Sequence, residues 1–372
     1  MRQIKISEKK PDYNIVIVLL ESWTPKYIDS FNGNKGYGVT PNFDNIVENG
    51  IKFNNAYSVG PRSQFGLIGS LVGMQIVPGT VYYYGFDMMS KFTKIASAFN
   101  NKGYFTMYAQ SSERNSIMMC SVAKNMLDFR ESYGQEDFPR LMDYKYHNVY
   151  DYDMLDFVSK KAGEHHKKGQ PFFIYSFTGT THMPFSPIAD EFNKYPLTSV
   201  ENKYLNSLYY ADYSIGHLID SAKRDGYFDN TIFIFMADHI YGGFAEDTKE
   251  RFRIPFVVYA PKIFKSQQID YPVSQADLIP SIYHLMGIEE SFTAVGTNIF
   301  DKNANHFALI CDGTNIVFVD GQNYISSNRI NVVESSVNKN DEKYEFMNNT
   351  LLSLDKSITE SIKCNKWYRI EK

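Results

Sequence analysis

Four side chains of this 372-residue chain have the types and settings to share a metal ion: Glu21, Ser63, Asp238 and His239. Glu21 closes the run Asn14-Ile15-Val16-Ile17-Val18-Leu19-Leu20, and Asp238-His239 closes Thr231-Ile232-Phe233-Ile234-Phe235-Met236-Ala237. An apolar run without polar alternation reads as a strand buried on both faces, the interior of a parallel sheet. Reactive groups in open α/β sheets stand just past the carboxyl ends of such strands. Carboxylate oxygens and an imidazole nitrogen placed there suit a divalent cation. Ser63 ends Gly60-Pro61-Arg62-Ser63, a turn feeding a helical stretch, where free backbone N–H groups and the helix dipole favour an anion. Held against a cation, its hydroxyl loses a proton more easily and becomes a nucleophile. For a phosphoryl centre the matching chemistry is a two-step displacement through a covalent seryl ester. Ser58, a few residues earlier, is the rival for that role.

Two further residues follow strands in the same way. His182, in Thr180-Thr181-His182-Met183-Pro184-Phe185, is placed to bind a substrate phosphate or to protonate a leaving group. Arg114, in Ser111-Ser112-Glu113-Arg114-Asn115, could clamp a phosphate with both arms of its guanidinium. Arg62 adjoins the serine but has no direction fixed by sequence. His147, His165, His166, His217, His284 and His306 lack such a setting, and His165-His166 reads as a solvated helix end.

The elements that must position these groups alternate helix with strand. Strand 14–21 leads through a Gly/Asn-rich loop, 32–42, to a helix starting at Thr40-Pro41 with Thr40 as its cap, closed by Gly50. A short strand begins at Ile51, and Leu67, Ile68 and Leu71 give the helix after Ser63 its apolar face. Helix 90–101 passes through Gly103 into strand 104–109, with glycine as the helix stop. Helix 149–166 precedes strand 171–178, helix 200–225 precedes strand 231–237, a strand covers 253–260, and helix 274–287 ends at Gly287. This alternation predicts an α/β fold, doubly wound, with a mostly parallel central sheet and helices on both faces. After Phe300 the texture changes. His306–Val319 and Gln322–Ile330 read as antiparallel strands turning at Asp312-Gly313 and Asp320-Gly321, and a last helix lies near 341–362. The expected division is therefore a catalytic domain over 1–300 and a small C-terminal α+β subdomain over 301–372.

Composition narrows the function classes. A net charge of −4 and the lack of basic stripes argue against nucleic acid as a partner. Three cysteines, Cys120, Cys311 and Cys364, have neither disulfide nor zinc-site spacing and read as isolated thiols. No run reaches the roughly 18 apolar residues a membrane span needs. Residues 1–13 carry no apolar signal core, so any membrane anchor is expected outside this chain.

Together these motifs resemble the sulfatase/alkaline-phosphatase superfamily, and within it the lipoteichoic acid synthase and phosphoglycerol transferase branch. The resemblance spans roughly residues 12–300. Asn14–Glu21 is similar to the opening metal-ligand strand and Thr40-Pro41-Asn42-Phe43 to the helix start after it. Arg62-Ser63-Gln64-Phe65-Gly66-Leu67 is similar to the nucleophile motif, Thr181-His182-Met183-Pro184-Phe185 to a His-x-Pro-Phe element, Asp238-His239 to the metal pair, and Val273–Ser281 with Leu285-Met286-Gly287-Ile288 to the late helix.

The resemblance implies that Glu21, Ser63, Asp238 and His239 hold one divalent cation, manganese foremost, with magnesium, zinc and calcium as alternatives. It implies phosphoglycerol contacts from Arg114 and His182, a phospholipid head group as donor, a glycan or polyol-phosphate acceptor, and an extracytoplasmic setting at the cell envelope. Three departures bear on the substrate. Ser63 is followed by Gln64-Phe65-Gly66 rather than the x-Pro-x-Arg of sulfatases, which argues against sulfate esters. The nucleophile is Ser where the synthases use Thr, and Ile240 replaces the glycine that commonly follows the Asp-His pair. The expectation is a metal-dependent transferase working through Ser63. The alternatives are a phosphodiesterase or sulfatase-like hydrolase of the same fold, or a catalytically silent module that binds anions or lipids.

Overall fold

The computed structural model describes residues 12–78, 93–139, 150–242, 248–364 and 367. Among these, eight strands form the main sheet, and β3 (Ala56–Tyr57) and β10 (Val273–Ser274) form a separate parallel pair. The centre of the main sheet is β1 (Asn14–Leu20), flanked by β6 (Phe172–Phe177) and β7 (Thr231–Ala237), both parallel to it. Every residue of these three strands is buried, which is why their sequences show no alternation. Beyond β6 lie β4 (Phe105–Gln110) and β5 (Glu131–Tyr133), again parallel. Beyond β7 the sheet turns mixed. β8 (Phe256–Tyr259) runs antiparallel to both β7 and β2 (Ile51–Phe53), and β9 (Gln267–Ile269) closes the edge parallel to β2.

Helices cover both faces, as the alternation predicts. They include α2 (Pro41–Glu48), α3 (Ser63–Val72), α4 (Ile95–Asn101), α6 (Asp151–Lys167), α7 (Val200–Arg224) and α8 (Leu278–Leu285), besides the short α1 (Asp29–Asn32) and α5 (Met119–Asn125). The expected starts at residues 90–92 and 149 lie outside the described residues. One local expectation is corrected. Thr40 holds the N-cap position of α2 as expected, but its side chain caps no helix amide; its hydroxyl donates to Asp44 Oδ2 at 3.0 Å. The cap comes from α7, where buried Asp212 accepts the amides of Asn42 at 3.0 Å and Phe43 at 2.7 Å. A carboxylate answers both the orphan N–H groups and the positive end of the helix dipole, and a cap 170 residues away leaves no local signature.

The C-terminal part is a four-stranded antiparallel sheet, β11 (Ala308–Cys311), β12 (Ile316–Asp320), β13 (Asn323–Ser327) and β14 (Val332–Ser335), followed by α9 (Glu342–Lys363). Leu309, Phe318, Ile325, Met347 and Leu351 join the same apolar core as β1 and β7. Cys120 and Cys311 are buried thiols and Cys364 is exposed; none is bonded to another.

Candidate metal centre and nucleophile

Strand register brings distant ligands together. Leu20 pairs with Ala237 in adjacent parallel strands, so the next residues, Glu21 and Asp238, leave the sheet side by side. The Asp238 amide donates to the Leu20 carbonyl at 3.0 Å. On the other flank the Glu21 amide donates to Thr178 Oγ1 at 2.9 Å, and Thr181 Oγ1 donates to the Glu21 carbonyl. Glu21 is thus held on both sides by the residues that follow β6.

Ser63, the first residue of α3, completes the group. Its Oγ donates to Glu21 Oε2 at 3.0 Å and lies 3.2 Å from His239 Nε2. His239 Nε2 is 3.4 Å from Asp238 Oδ2 and 3.6 Å from Glu21 Oε1. His239 Nδ1 is 2.8 Å from the Ile240 carbonyl, which can only accept, so Nδ1 carries a proton and Nε2 is the nitrogen left for a ligand role. Ile240 therefore serves this group through its backbone, an atom that glycine would supply equally; the loop at 243–247 lies outside the described residues.

The donor set fits a divalent cation. Ligand atoms of Glu21, Asp238 and His239 all lie within 4.8 Å of one another. Asp238 is fully buried; its Oδ1 accepts the amides of Ser22 at 2.8 Å and His239 at 2.7 Å, but its Oδ2 has no hydrogen-bond partner. A buried carboxylate oxygen without a donor is costly unless a positive charge faces it. Burial, and then the neighbouring Glu21 charge, hold the Asp238 carboxyl well above the usual carboxylate range. Burial works against a charged His239, yet Asp238 and Glu21 outweigh it and raise the imidazole's pKa. Two acids crowded at one buried point, each straining for a counter-charge, are what a cation would relieve.

Beside this group is a cavity of about 230 Å³ lined by Glu21, Ser63, Ser111, Ser112, Thr178 and His182, among others. It opens past the carboxyl ends of β4, β6 and β1, where such sheets bind ligands. His182 is exposed on its wall, and its amide donates to the Gly179 carbonyl at 3.0 Å. Arg114 is not among the lining residues. Its guanidinium is paired with Asp137 and donates to the Ser132 carbonyl at 3.0 Å. Ser58 is buried and Arg62 exposed, and neither lines the cavity. A larger cavity, about 790 Å³, lies beside Gln267, Ile269, His284 and Leu285 and contains none of the four residues.

Three supporting residues were not singled out from sequence. Gln275, fully buried, donates to the carbonyls of Ala237 at 2.9 Å and Asp238 at 2.6 Å while accepting the Val59 amide at 2.9 Å. It ties the end of β7 to the turn carrying Ser63. Asp151, at the start of α6, accepts the amides of Gly179 at 2.7 Å and Thr180 at 3.0 Å, fixing the segment that clasps Glu21 and carries His182. Burial pushes its carboxyl up to about 6. Gly66 lets α3 approach: a Cβ there would stand 2.6 Å from the Asp238 carbonyl oxygen and 2.8 Å from its Cα. The glycine after a nucleophile motif was the visible signal, but its contact was not. Gly66→Ala is therefore expected to push α3, and Ser63 with it, off Asp238, lowering stability by about 1–3 kcal/mol. Thermal melts check it; a variant melting with wild type would refute the tight approach.

The family model described as Sulfatase matches residues 13–288, and the chain belongs to that family. The fold is shared with a protein of the alkaline phosphatase superfamily from Vibrio parahaemolyticus, at 22% identity and TM-score 0.85 over 98% of this chain and 90% of that one. Within the family the chain is similar to lipoteichoic acid synthases. The lipoteichoic acid synthase-like YvgJ of Bacillus subtilis (strain 168) is 27% identical over 184 residues, 43% of this chain and 29% of the relative. The lipoteichoic acid synthase LtaP from Listeria monocytogenes shares the fold at 14% identity, with TM-score 0.78 over 97% of this chain and 94% of that chain. The chain thus matches less than a third of the length of its curated relative YvgJ.

Proposed function

We propose that this chain is a metal-dependent phosphotransferase that moves a phosphoglycerol-like group from a phospholipid head to a glycan or polyol-phosphate acceptor through a covalent ester on Ser63. The observation that carries the reading is Ser63 Oγ lying 3.0 Å from Glu21 and 3.2 Å from His239 at the edge of a cavity. Glu21, Asp238 and His239, with Ser63 itself, would hold the cation, manganese first and magnesium, zinc or calcium next. When bound, that ion supplies neutralisation of charge on the serine oxygen and on the phosphoryl oxygens.

The chain's own residues do the rest. Glu21 Oε2, accepting from Ser63, turns the serine oxygen's lone pairs toward the cavity. Glu21 Oε2 is the acceptor that receives the serine proton, because His239 Nε2 would give its one lone pair to the cation. Ser63 Oγ bonds to phosphorus as the phosphorus–oxygen bond to the lipid alcohol breaks, and His182 on the cavity wall protonates the departing oxygen. An acceptor hydroxyl then attacks the same phosphorus and gives its proton to His182 as the bond from phosphorus to Ser63 Oγ breaks, and Ser63 takes back its proton from Glu21. Arg114 takes part only when its pairing with Asp137 opens. In this reading residues 301–372 form a packing subdomain. The domain acts at the extracytoplasmic face, with an anchor outside this chain; no helix among the described residues is long and apolar enough to cross a membrane.

The test offers native protein with Mn²⁺ three substrates: phosphatidylglycerol vesicles with a glycolipid acceptor, a chromogenic phosphodiester and a chromogenic sulfate ester. Product carrying phosphoglycerol on the acceptor supports the reading. Release into water alone would assign a phosphodiesterase, preference for the sulfate ester a sulfatase, and binding without any turnover a silent module.

A further inference from the structure

We infer that Ser22 is the positioning residue that presents Glu21 and Asp238 to the cation; the inference rests on the proposed metal-dependent reading of the site. Ser22 directly follows Glu21 and is buried. Its Oγ donates to Glu21 Oε1 at 2.6 Å, and its amide donates to Asp238 Oδ1 at 2.8 Å. One residue therefore takes one oxygen of each carboxylate. The oxygens it leaves are Glu21 Oε2, which faces Ser63, and Asp238 Oδ2, which lies 3.4 Å from His239 Nε2 with no donor. By holding Glu21 Oε1 and Asp238 Oδ1, Ser22 fixes how both carboxylates are turned, with Glu21 Oε1 still 3.6 Å from His239 Nε2, Glu21 Oε2 on Ser63 and Asp238 Oδ2 toward His239.

The backbone shows what this arrangement costs. Ser22 has φ +56°, in the left-handed region that side chains other than glycine, asparagine and aspartate rarely adopt. The conformation ends β1 abruptly and brings the residue-22 amide to Asp238. It is pinned from behind, where the Ser22 carbonyl accepts from Tyr204 Oη at 2.8 Å and Thr24 Oγ1 at 3.2 Å. A glycine would take this φ more cheaply but could not hold Glu21. The hydroxyl thus serves the carboxylate rather than the turn.

That division gives a test separating cation binding from folding. Ser22→Gly removes the hydroxyl and eases the backbone; Ser22→Ala removes the hydroxyl and keeps the strain. Ser22→Thr keeps a hydroxyl but adds a β-branch at positive φ. Mn²⁺ dissociation constants would be measured by titration calorimetry on metal-stripped full chain, alongside melting temperatures without metal. The expected result is a loss of affinity of about 10–100-fold for Gly and Ala, the usual scale for a group that orients a ligand. Thr should bind within a few-fold of wild type although it melts lowest, and Gly should melt no lower than Ala. Affinities that follow melting temperature across the three, or Gly and Ala variants that bind like wild type, would overturn the role of Ser22 alone. Wild-type protein that takes up no Mn²⁺ would overturn the reading of the site, and this role with it.

Discussion

Ser63→Ala is expected to lower phosphodiester turnover by at least about 10³-fold while leaving Mn²⁺ binding within about tenfold of wild type. The nucleophile of a covalent mechanism has no substitute, since its loss removes the first bond-forming step altogether. Cation binding should survive because Glu21, Asp238 and His239 keep ligand atoms within 4.8 Å of one another without it. The fold should survive as well: Ser63 is the first residue of α3 and only partly buried, and α3 is anchored by buried Leu67, Ile68 and Leu71. Turnover of a chromogenic phosphodiester and calorimetric Mn²⁺ titration read the two effects separately. Activity within tenfold of wild type would remove Ser63 from the mechanism. Loss of both activity and binding would make it chiefly a ligand.

Asp238→Asn should change stability and cation binding in opposite directions. Without metal, the Asp238 carboxyl sits fully buried beside Glu21, and burial and that charge raise its pKa. The folded state therefore holds a proton that the unfolded chain releases, so wild-type stability falls as pH rises from the ordinary carboxylate range through the raised folded value. Asparagine keeps an oxygen for the amides of Ser22 and His239 but carries no charge to titrate. Metal-free Asp238→Asn should be more stable than metal-free wild type by on the order of 1–3 kcal/mol at pH 8, with the gap closing toward pH 4. Saturating Mn²⁺ should reverse the order. A cation at a thousand times its dissociation constant stabilises the wild type by about 4.1 kcal/mol, more than the gap, whereas the variant, having lost an anionic ligand, should gain almost nothing. Melting curves at pH 4, 6 and 8 with and without Mn²⁺ check this. A variant less stable than wild type at pH 8 without metal would mean that the two carboxylates are not in conflict.

The strands carrying the site were legible because burial on both faces writes itself into composition. Thr231–Ala237 matches its expected span and Asn14–Leu20 ends one residue before the expected 14–21, and all their residues are buried. Alternation of helix and strand also foretold the mostly parallel sheet. What it did not convey was which strands pair. The antiparallel course of β8 and the edge position of β9 depend on packing between segments far apart in the chain, for which short strands carry no distinguishing period. At the site, residue type pointed to Glu21, Ser63, Asp238 and His239 before their distances were known. The supporting residues were hidden for one shared reason: each acts on a segment far from it in the chain, through hydrogen bonds or a close approach that leave no local pattern. Gln275 reaches Val59, Asp151 reaches Gly179, and Gly66 meets Asp238. Arg114 illustrates the converse. Its position after a strand suggested a free phosphate clamp, but Asp137, in the short helical turn after β5, holds its guanidinium. A lone ion pair between separate segments leaves no pattern along the chain.

The central claim is that Ser63 becomes covalently bonded to the transferred group. It is tested most directly by mass spectrometry of the Ser63-containing peptide after native protein with Mn²⁺ is mixed with phosphatidylglycerol and quenched in acid. The account predicts a peptide heavier by one phosphoglycerol group, with the added mass localised to Ser63 and absent when Mn²⁺ is withheld. An unmodified Ser63 peptide in a sample that has demonstrably consumed the lipid would contradict it.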